Sequence, residues 1–314
     1  RDIQAQAEKV LKSVMDKFSA AGGTVIVQEP KTGKILAIGN YPNFDPNDYP
    51  RSSLKTFLNP AVQAIYEPGS VFKAITMSAG IDSEKITPET KFYDTGSLTL
   101  NGKTIKNWDL KAHGTVTMTE VIEESINTGA AFAERKTGHD IFYNYLVKFG
   151  FGETTGIGLP GEVSSKLKNL KNNFRDINFA TAAFGQGVSV TPIQLISAIS
   201  AIANGGVLMK PYLVEGTAPE SVRGVISEET AEKVTAMMTS AVKKAGVAQI
   251  PDYQIAGKTG TAQVPDFKKG GYTNDFIHSY AGFAPASDPK FTILIKVDKP
   301  KASLAGATVV PAFR

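Results

Sequence analysis

A chain of 314 residues, 42% apolar and 20% charged, has the composition of a globular protein, with length enough for a sizeable core and too little for three ordinary domains. Its formal net charge of +4, without a dense Lys/Arg block, gives no sign of a nucleic-acid partner. The absence of cysteine excludes disulfides and thiol chemistry, and the three histidines, His113, His139 and His278, form no His-x-x-x-His pair, so neither a metal site nor a cofactor is expected.

Residues 3–19 have helical spacing, with Ile3, Ala7, Val10, Leu11 and Val14 on one face. Two strands are expected at Thr24–Gln28 and Ile35–Ile38, joined by a hairpin turn over 29–34. Residues 42–66 read as loop. Ser70 to Ala79 is apolar on nearly every face and predicts a central buried helix. Helical pattern returns over 115–150, with a break near Ser125-Ile126-Asn127. Val163 to Asp176 is polar and reads as a solvated loop. Helices are expected at 191–204 and 228–245, with a connecting loop over 216–227. The most apolar window, Thr191 to Val207, is interrupted by Gln194, Asn204 and two glycines, and suits a buried helix rather than a membrane span.

The last third turns to strands, at Gln254–Val264, His278–Ala284 and Phe291–Val297, with a flexible hairpin loop over Phe267–Asn274. The expected fold is α/β: a five-stranded antiparallel sheet flanked by helices, with a largely helical insertion at roughly 65–205. One domain should occupy 1–314. The opening Arg1-Asp2-Ile3 carries no initiator Met, and the chain stops just after Pro311. It is therefore expected to be part of a longer protein. A cysteine-free composition fits an extracytoplasmic setting.

Lys-Thr-Gly occurs three times, at 31–33, 136–138 and 258–260. The first copy belongs to the hairpin turn, and the second ends a helix, with Gly as cap. The third lies inside a strand, where Gly weakens packing and marks a close approach. A phosphate loop does not account for it. That motif needs Gly at 252, where the chain has Asp252, and no helix follows.

Acyl transfer by a serine is the alternative. A hydroxyl needs a base, and without a usable histidine that base is a lysine. Ser-x-x-Lys occurs at Ser52, Ser70, Ser165, Ser240 and Ser287. Ser52, Ser165 and Ser287 fall in polar loops or turns, and Ser240 lies within a helix with no cleft to face. Ser70 opens an apolar helix, on one face with Lys73, where free N–H groups favour an oxyanion and burial favours a neutral amine. By itself this reads equally well as a capping serine beside a snorkelling lysine. Ser-x-Asn occurs once, at Ser125-Ile126-Asn127. The order Ser-x-x-Lys, Ser-x-Asn, Lys-Thr-Gly is far more specific than any one of them.

With these motifs, and with "YEPGSVFK" at 66–73, "SINTGA" at 125–130, "GIGLPGE" at 156–162, "FGQGVSVTPIQL" at 184–195 and "KTGTAQ" at 258–263, the chain resembles the transpeptidase domain of class B penicillin-binding proteins along nearly its whole length. The resemblance implies that Ser70 attacks a stem peptide ending in D-Ala-D-Ala and that Lys73 accepts its proton. Ser125 relays that proton and Asn127 steers Lys73 and the substrate amide. Lys258, Thr259 and Thr261 hold the terminal carboxylate, the N–H groups of Ser70 and Thr261 form the oxyanion hole, and Gly260 leaves room for the approach. It also implies β-lactam inhibition, an upstream membrane anchor and pedestal domain, partners in the division or elongation machinery, and an extracytoplasmic place. An aromatic residue is expected in the middle of Gly185-Gln186-Gly187. The same fold admits a β-lactamase or a β-lactam sensor. Against the first stand the absence of a Glu-x-x-Leu-Asn element between the second and third motifs and the presence of the Asn127 amide. Against a dead structural fold stands the intact set Ser70, Lys73, Ser125, Asn127, Lys258.

Overall fold

The computed structural model describes residues 1–171, 175–266 and 269–314. Five strands form one sheet: β1 (Gly22–Gln28), β2 (Ile35–Tyr41), β3 (Ala256–Pro265), β4 (Tyr272–Ala284) and β5 (Phe291–Asp298). Their order is β2-β1-β5-β4-β3, every pair antiparallel. The last strand in sequence thus pairs with the first, Val25 opposite Ile295 and Ile26 opposite Leu294. β1 and β5 are buried on both faces because helices cover both, and β3 is left as an edge.

One face carries α1 (Asp2–Phe18) and α9 (Ala305–Phe313), whose Leu11, Met15, Val309 and Phe313 pack on Val25, Tyr280 and Val297. Ile3, expected on the inner face of α1, is 40% exposed, and the buried face of the helix starts at Ala7. The sequence reading did not foresee α9.

The other face carries α2 (Lys73–Asp82), α3 (Met118–Glu123), α4 (Asn127–Thr137), α5 (His139–Lys148), α6 (Asp176–Ala182), α7 (Pro192–Ala203) and α8 (Glu228–Ala245). The expected helical pieces are there, with sharper ends. Capping boxes at Thr117/Glu120 and Thr191/Gln194 start α3 and α7. Every residue of α7 and all but the last of α2 are buried. Phe72, Ile75 and Met77 have no exposed surface, and burying each contributes about 1.5–3 kcal/mol. Among the described residues, no helix is long and apolar enough to cross a membrane.

Several expected loops contain more structure. Residues 42–66 hold two 3-10 turns and the short helix Pro60–Gln63. Ser221–Gly224, inside the loop expected at 216–227, pairs with Val207–Met209. Two ribbons precede α3, Lys91–Asp94 against Gly114–Thr117 and Ser97–Leu100 against Lys103–Lys106. In the segment expected to be solvated at 163–176, Ser165, Leu167 and Leu170 are buried, because both leucines join the core; residues 172–174 lie outside the described residues. Of the expected hairpin loop 267–274, residues 267–268 also lie outside them, and residues from Tyr272 on belong to β4.

Candidate active site

Ser70 sits on the turn that leads into α2. Gly69 takes φ +59°, and residues Gly69–Phe72 wind as a 3-10 helix before the α-helix begins at Lys73. The sequence put Ser70 directly on the α-helix; the tighter turn keeps it at the start, where the first N–H groups have no partner within the turn. The turn is clamped from behind. Gly69 N–H donates to the Gly185 carbonyl at 3.1 Å, and Glu67 accepts from Gly187 N–H and the Tyr272 hydroxyl, each at 2.9 Å. A Cβ on Gly185 would stand 2.2 Å from the Gly69 carbonyl oxygen, so this contact requires glycine. The Gly185-Gln186-Gly187 loop thus works through its two glycines, which explains its presence without the aromatic expected between them.

Lys73 has no exposed surface. Its Nζ donates to the Ser125 carbonyl at 2.6 Å and Asn127 Oδ1 at 2.8 Å, and lies 3.2 Å from Ser125 Oγ. Burial and then the charge of Lys258 press its pKa well below that of an ordinary lysine. Two of its neighbours can only accept. A neutral amine satisfies both with its two hydrogens and keeps its lone pair for a hydroxyl proton.

Ser125 takes φ +57°, a left-handed conformation costing about 1–2 kcal/mol for a residue with a Cβ. That bend between α3 and α4 turns both its carbonyl and its hydroxyl towards Lys73. Asn127, the first residue of α4, has its amide fixed on both sides, with Oδ1 on Lys73 and Nδ2 donating to the Lys106 carbonyl at 2.9 Å.

Lys258 reaches the same point from the sheet. It is 4% exposed, and burial lowers its pKa to about 7. Its Nζ donates to Ser125 Oγ at 3.0 Å and lies 3.4 Å from Thr259 Oγ1. Gly260 is closely approached on the side of the Ser70 turn. A Cβ there would meet Ser279 Oγ at 2.4 Å, the Pro68 carbonyl oxygen at 2.8 Å and Val71 at 3.1 Å. The room it leaves is therefore taken by the Ser70 turn, so the edge strand can lie against the nucleophile segment. Thr261 Oγ1 accepts from Ala305 N–H at 3.4 Å, at the start of α9. Its hydroxyl hydrogen remains free to donate.

The fold thus joins Lys73, Ser125, Asn127, Lys258 and Thr259 by direct contacts and seats Gly260 on the turn that carries Ser70. The other two Lys-Thr-Gly copies are a turn and a helix end, with Gly33 at φ +83° and Gly138 at φ +89°. Two rejected serines have different surroundings from those expected: Ser165 is buried and accepts from Gly152 N–H, and Ser240 contacts Glu123 at 2.5 Å. Sequence reasoning missed Glu67, Tyr272, Gly185 and Gly187 behind the turn, and Asp94 and Asn107 behind Asn127. Glu67 lies within the quoted "YEPGSVFK", and Gly185 and Gly187 within "FGQGVSVTPIQL", the signals that were available.

The three motifs meeting at one sheet edge are the set shared by penicillin-binding proteins and class A β-lactamases. The chain belongs to the penicillin-binding protein transpeptidase family: the model of the penicillin binding protein transpeptidase domain matches residues 23–314. It is 37% identical to stage V sporulation protein D of Bacillus subtilis over 98% of its own length and 50% of that protein. It is 30% identical to peptidoglycan D,D-transpeptidase FtsI of Escherichia coli over 99% of its length and 53% of that protein. The chain spans about half the length of these relatives. Penicillin-binding protein 3 of Mycobacterium tuberculosis, solved in complex with aztreonam, superposes with a TM-score of 0.91 at 32% identity, covering 99% of this chain and 75% of that one.

Proposed function

We propose that this chain is the catalytic module of a peptidoglycan D,D-transpeptidase, with Ser70 as its acylated nucleophile. The observation that carries the reading is the Ser125 hydroxyl shared by two buried lysines, 3.2 Å from Lys73 Nζ and 3.0 Å from Lys258 Nζ. Two ammonium groups on one hydroxyl repel each other. A substrate carboxylate beside Lys258 and Thr259 keeps Lys258 charged, and Lys73 is then the neutral partner.

In this reading Ser70 Oγ bonds to the carbonyl carbon of the penultimate D-Ala, and its proton passes to Lys73 Nζ. The N–H groups of Ser70 and Thr261 hold the oxyanion; losing one donor of such a pair costs ~10²–10³ in rate. Thr261, through its hydroxyl, joins Lys258 and Thr259 on the terminal carboxylate. The C–N bond breaks, and Ser125 Oγ passes the proton from Lys73 to the leaving D-alanine amine. An amine of a neighbouring stem peptide then attacks the ester, and Ser70 leaves with its proton restored. β-Lactams acylate the same serine, which the aztreonam complex of the mycobacterial relative supports. The helical insertion, roughly 65–205, supplies the first two motifs and the sheet the third. The relatives' extra length supports an upstream anchor and pedestal, holding the module on the extracytoplasmic face beside division or elongation proteins.

The test is intact-protein mass spectrometry with a labelled penicillin. A long-lived adduct on Ser70, absent in Ser70→Ala, supports the reading. Rapid release of penicilloate points to a β-lactamase, and no adduct overturns it. Cross-linking of lipid-linked glycan strands by the full-length protein separates a transpeptidase from a sensor.

A further inference from the structure

α4 begins without a cap of its own. Its N-cap residue, Ile126, has no side-chain oxygen to accept the first helical N–H groups. The cap is supplied from another part of the chain. Asn107 Oδ1 accepts from Asn127 N–H at 3.0 Å and from Thr128 N–H at 3.2 Å. Asn107 Nδ2 spends both hydrogens, on Asp94 Oδ2 at 2.7 Å and on the Lys111 carbonyl at 3.0 Å. The orientation of this amide is therefore fixed at both ends.

Asp94 anchors the arrangement. It is 1% exposed and accepts four hydrogen bonds: Thr128 Oγ1 at 2.6 Å, Asn107 Nδ2 at 2.7 Å, Gly96 N–H at 2.9 Å and His113 N–H at 3.0 Å. Burial works against its charge, but these bonds outweigh it and hold the carboxyl below its usual range. Lys106, next to Asn107, receives Asn127 Nδ2 on its carbonyl. The segment 94–107 thus grips Asn127 at its backbone N–H and at its side-chain amide.

We propose that Asn107, locked by the buried Asp94, is a positioning residue for the acylation step: it sets Asn127 and, through it, the amine of Lys73. An ordinary buried polar network would stabilise the fold and do nothing more. This one ends on the residue that meets Lys73 at 2.8 Å, at the start of the helix whose entry bends through Ser125. A displacement of Asn127 by an ångström opens the Lys73 pocket to water and moves the amine from the nucleophile. Misplacements of that size cost up to about 100-fold in rate.

The inference rests on Ser70 acylation, and the experiment separates the two. Acylation by a penicillin is measured in the wild type, in Asn107→Ala, in Asn107→Asp, which keeps the acceptor but sets an anion against Asp94, and in the exchanged pair Asp94→Asn/Asn107→Asp. Lack of acylation in the wild type sinks the proposed function. If the wild type is acylated, both single variants should lose about 10–100-fold in the acylation rate constant, with initial binding little changed. The alkaline-rising limb should move to higher pH as water reaches Lys73, and the exchanged pair should recover part of the rate. A folded Asn107→Ala with the wild-type rate constant and limb overturns the proposal, however far its Tm falls. Should Asn107→Ala not fold, Asp94→Asn takes its place under the same criterion.

Discussion

Lys258 donates to the hydroxyl of Ser125 at 3.0 Å, across 133 residues of chain and from the sheet to the helical layer. Ser125 holds that place in a left-handed conformation, φ +57°, which glycine would adopt without the cost. Ser125→Gly should therefore keep or raise the Tm, since about 1 kcal/mol of strain relief offsets the lost hydrogen bonds. Acylation by penicillin should slow by about 10²–10⁴, the usual contribution of a proton-transfer group. Thermal melts and stopped-flow acylation check both. A variant that is less stable and fully active would contradict the role given to the hydroxyl.

The third Lys-Thr-Gly copy differs from the second in what surrounds its glycine. A methyl at Gly260 would sit 2.4 Å from Ser279 Oγ and 2.8 Å from the Pro68 carbonyl, and one at Gly138 would meet nothing within 4 Å. Gly260→Ala should push the edge strand from the Ser70 turn, costing about 1–3 kcal/mol and most of the acylation rate. Gly138→Ala should cost about 1–3 kcal/mol, because φ +89° with ψ 142° is a conformation almost confined to glycine, and leave acylation unchanged. Chemical denaturation and penicillin labelling of the two variants test the contrast.

How much of this was legible follows from what kind of residue carries each part. The sheet strands and long helices announce themselves through apolar runs, and Ser70, Lys73, Ser125, Asn127 and Lys258 through motif order. Gly260 stands out in the sequence as a glycine inside a strand, the mark of a close approach by a ligand or another backbone, and its neighbours are Ser279 Oγ and the Pro68 carbonyl. The ribbons at 91–117 are too short and too exposed to show a period. The bonds that tie Asp94, Asn107 and Glu67 to the site span 13 to 205 residues, and no local pattern encodes such pairings. α9 is a nine-residue helix at the end of the chain, with Pro311 in its last turn, too short for a helical period to stand out.

Glu67 is a buried carboxyl three residues before Ser70. Burial raises its pKa, against the hydrogen bonds from Gly187 and Tyr272. A raised carboxyl pKa means that its protonated form suits the fold better, so stability is lost as pH rises through the folded value. Glu67→Gln keeps the shape and removes the charge. It should match or exceed the wild type in Tm at pH 8, and the difference should vanish on acidification through the carboxyl range. Tyr272→Phe removes a 2.9 Å donor to that charge and should cost about 1.5–3 kcal/mol at pH 8. Melts of both variants across pH decide this.

The lysine pair dictates the pH dependence of acylation. Lys73 must be neutral to take the proton, and Lys258 must be charged to hold an anionic substrate. Rates for a penicillin carrying one carboxylate should therefore rise with pH as the pair loses its first proton and fall as Lys258 loses its own near pH 7. The sign for stability follows from the same depression. Between about pH 7 and the ordinary lysine range near 10.4, the unfolded chain holds a proton at this position that the fold does not. Stability from this residue thus increases as pH rises through that window, opposite to the trend in activity. Lys258→Arg cannot lose its charge there. It should abolish the alkaline fall in the second-order acylation constant, whatever the height of its maximum, and flatten the gain in Tm between pH 7 and 10. An alkaline limb unchanged by Lys258→Arg would assign that limb to another group.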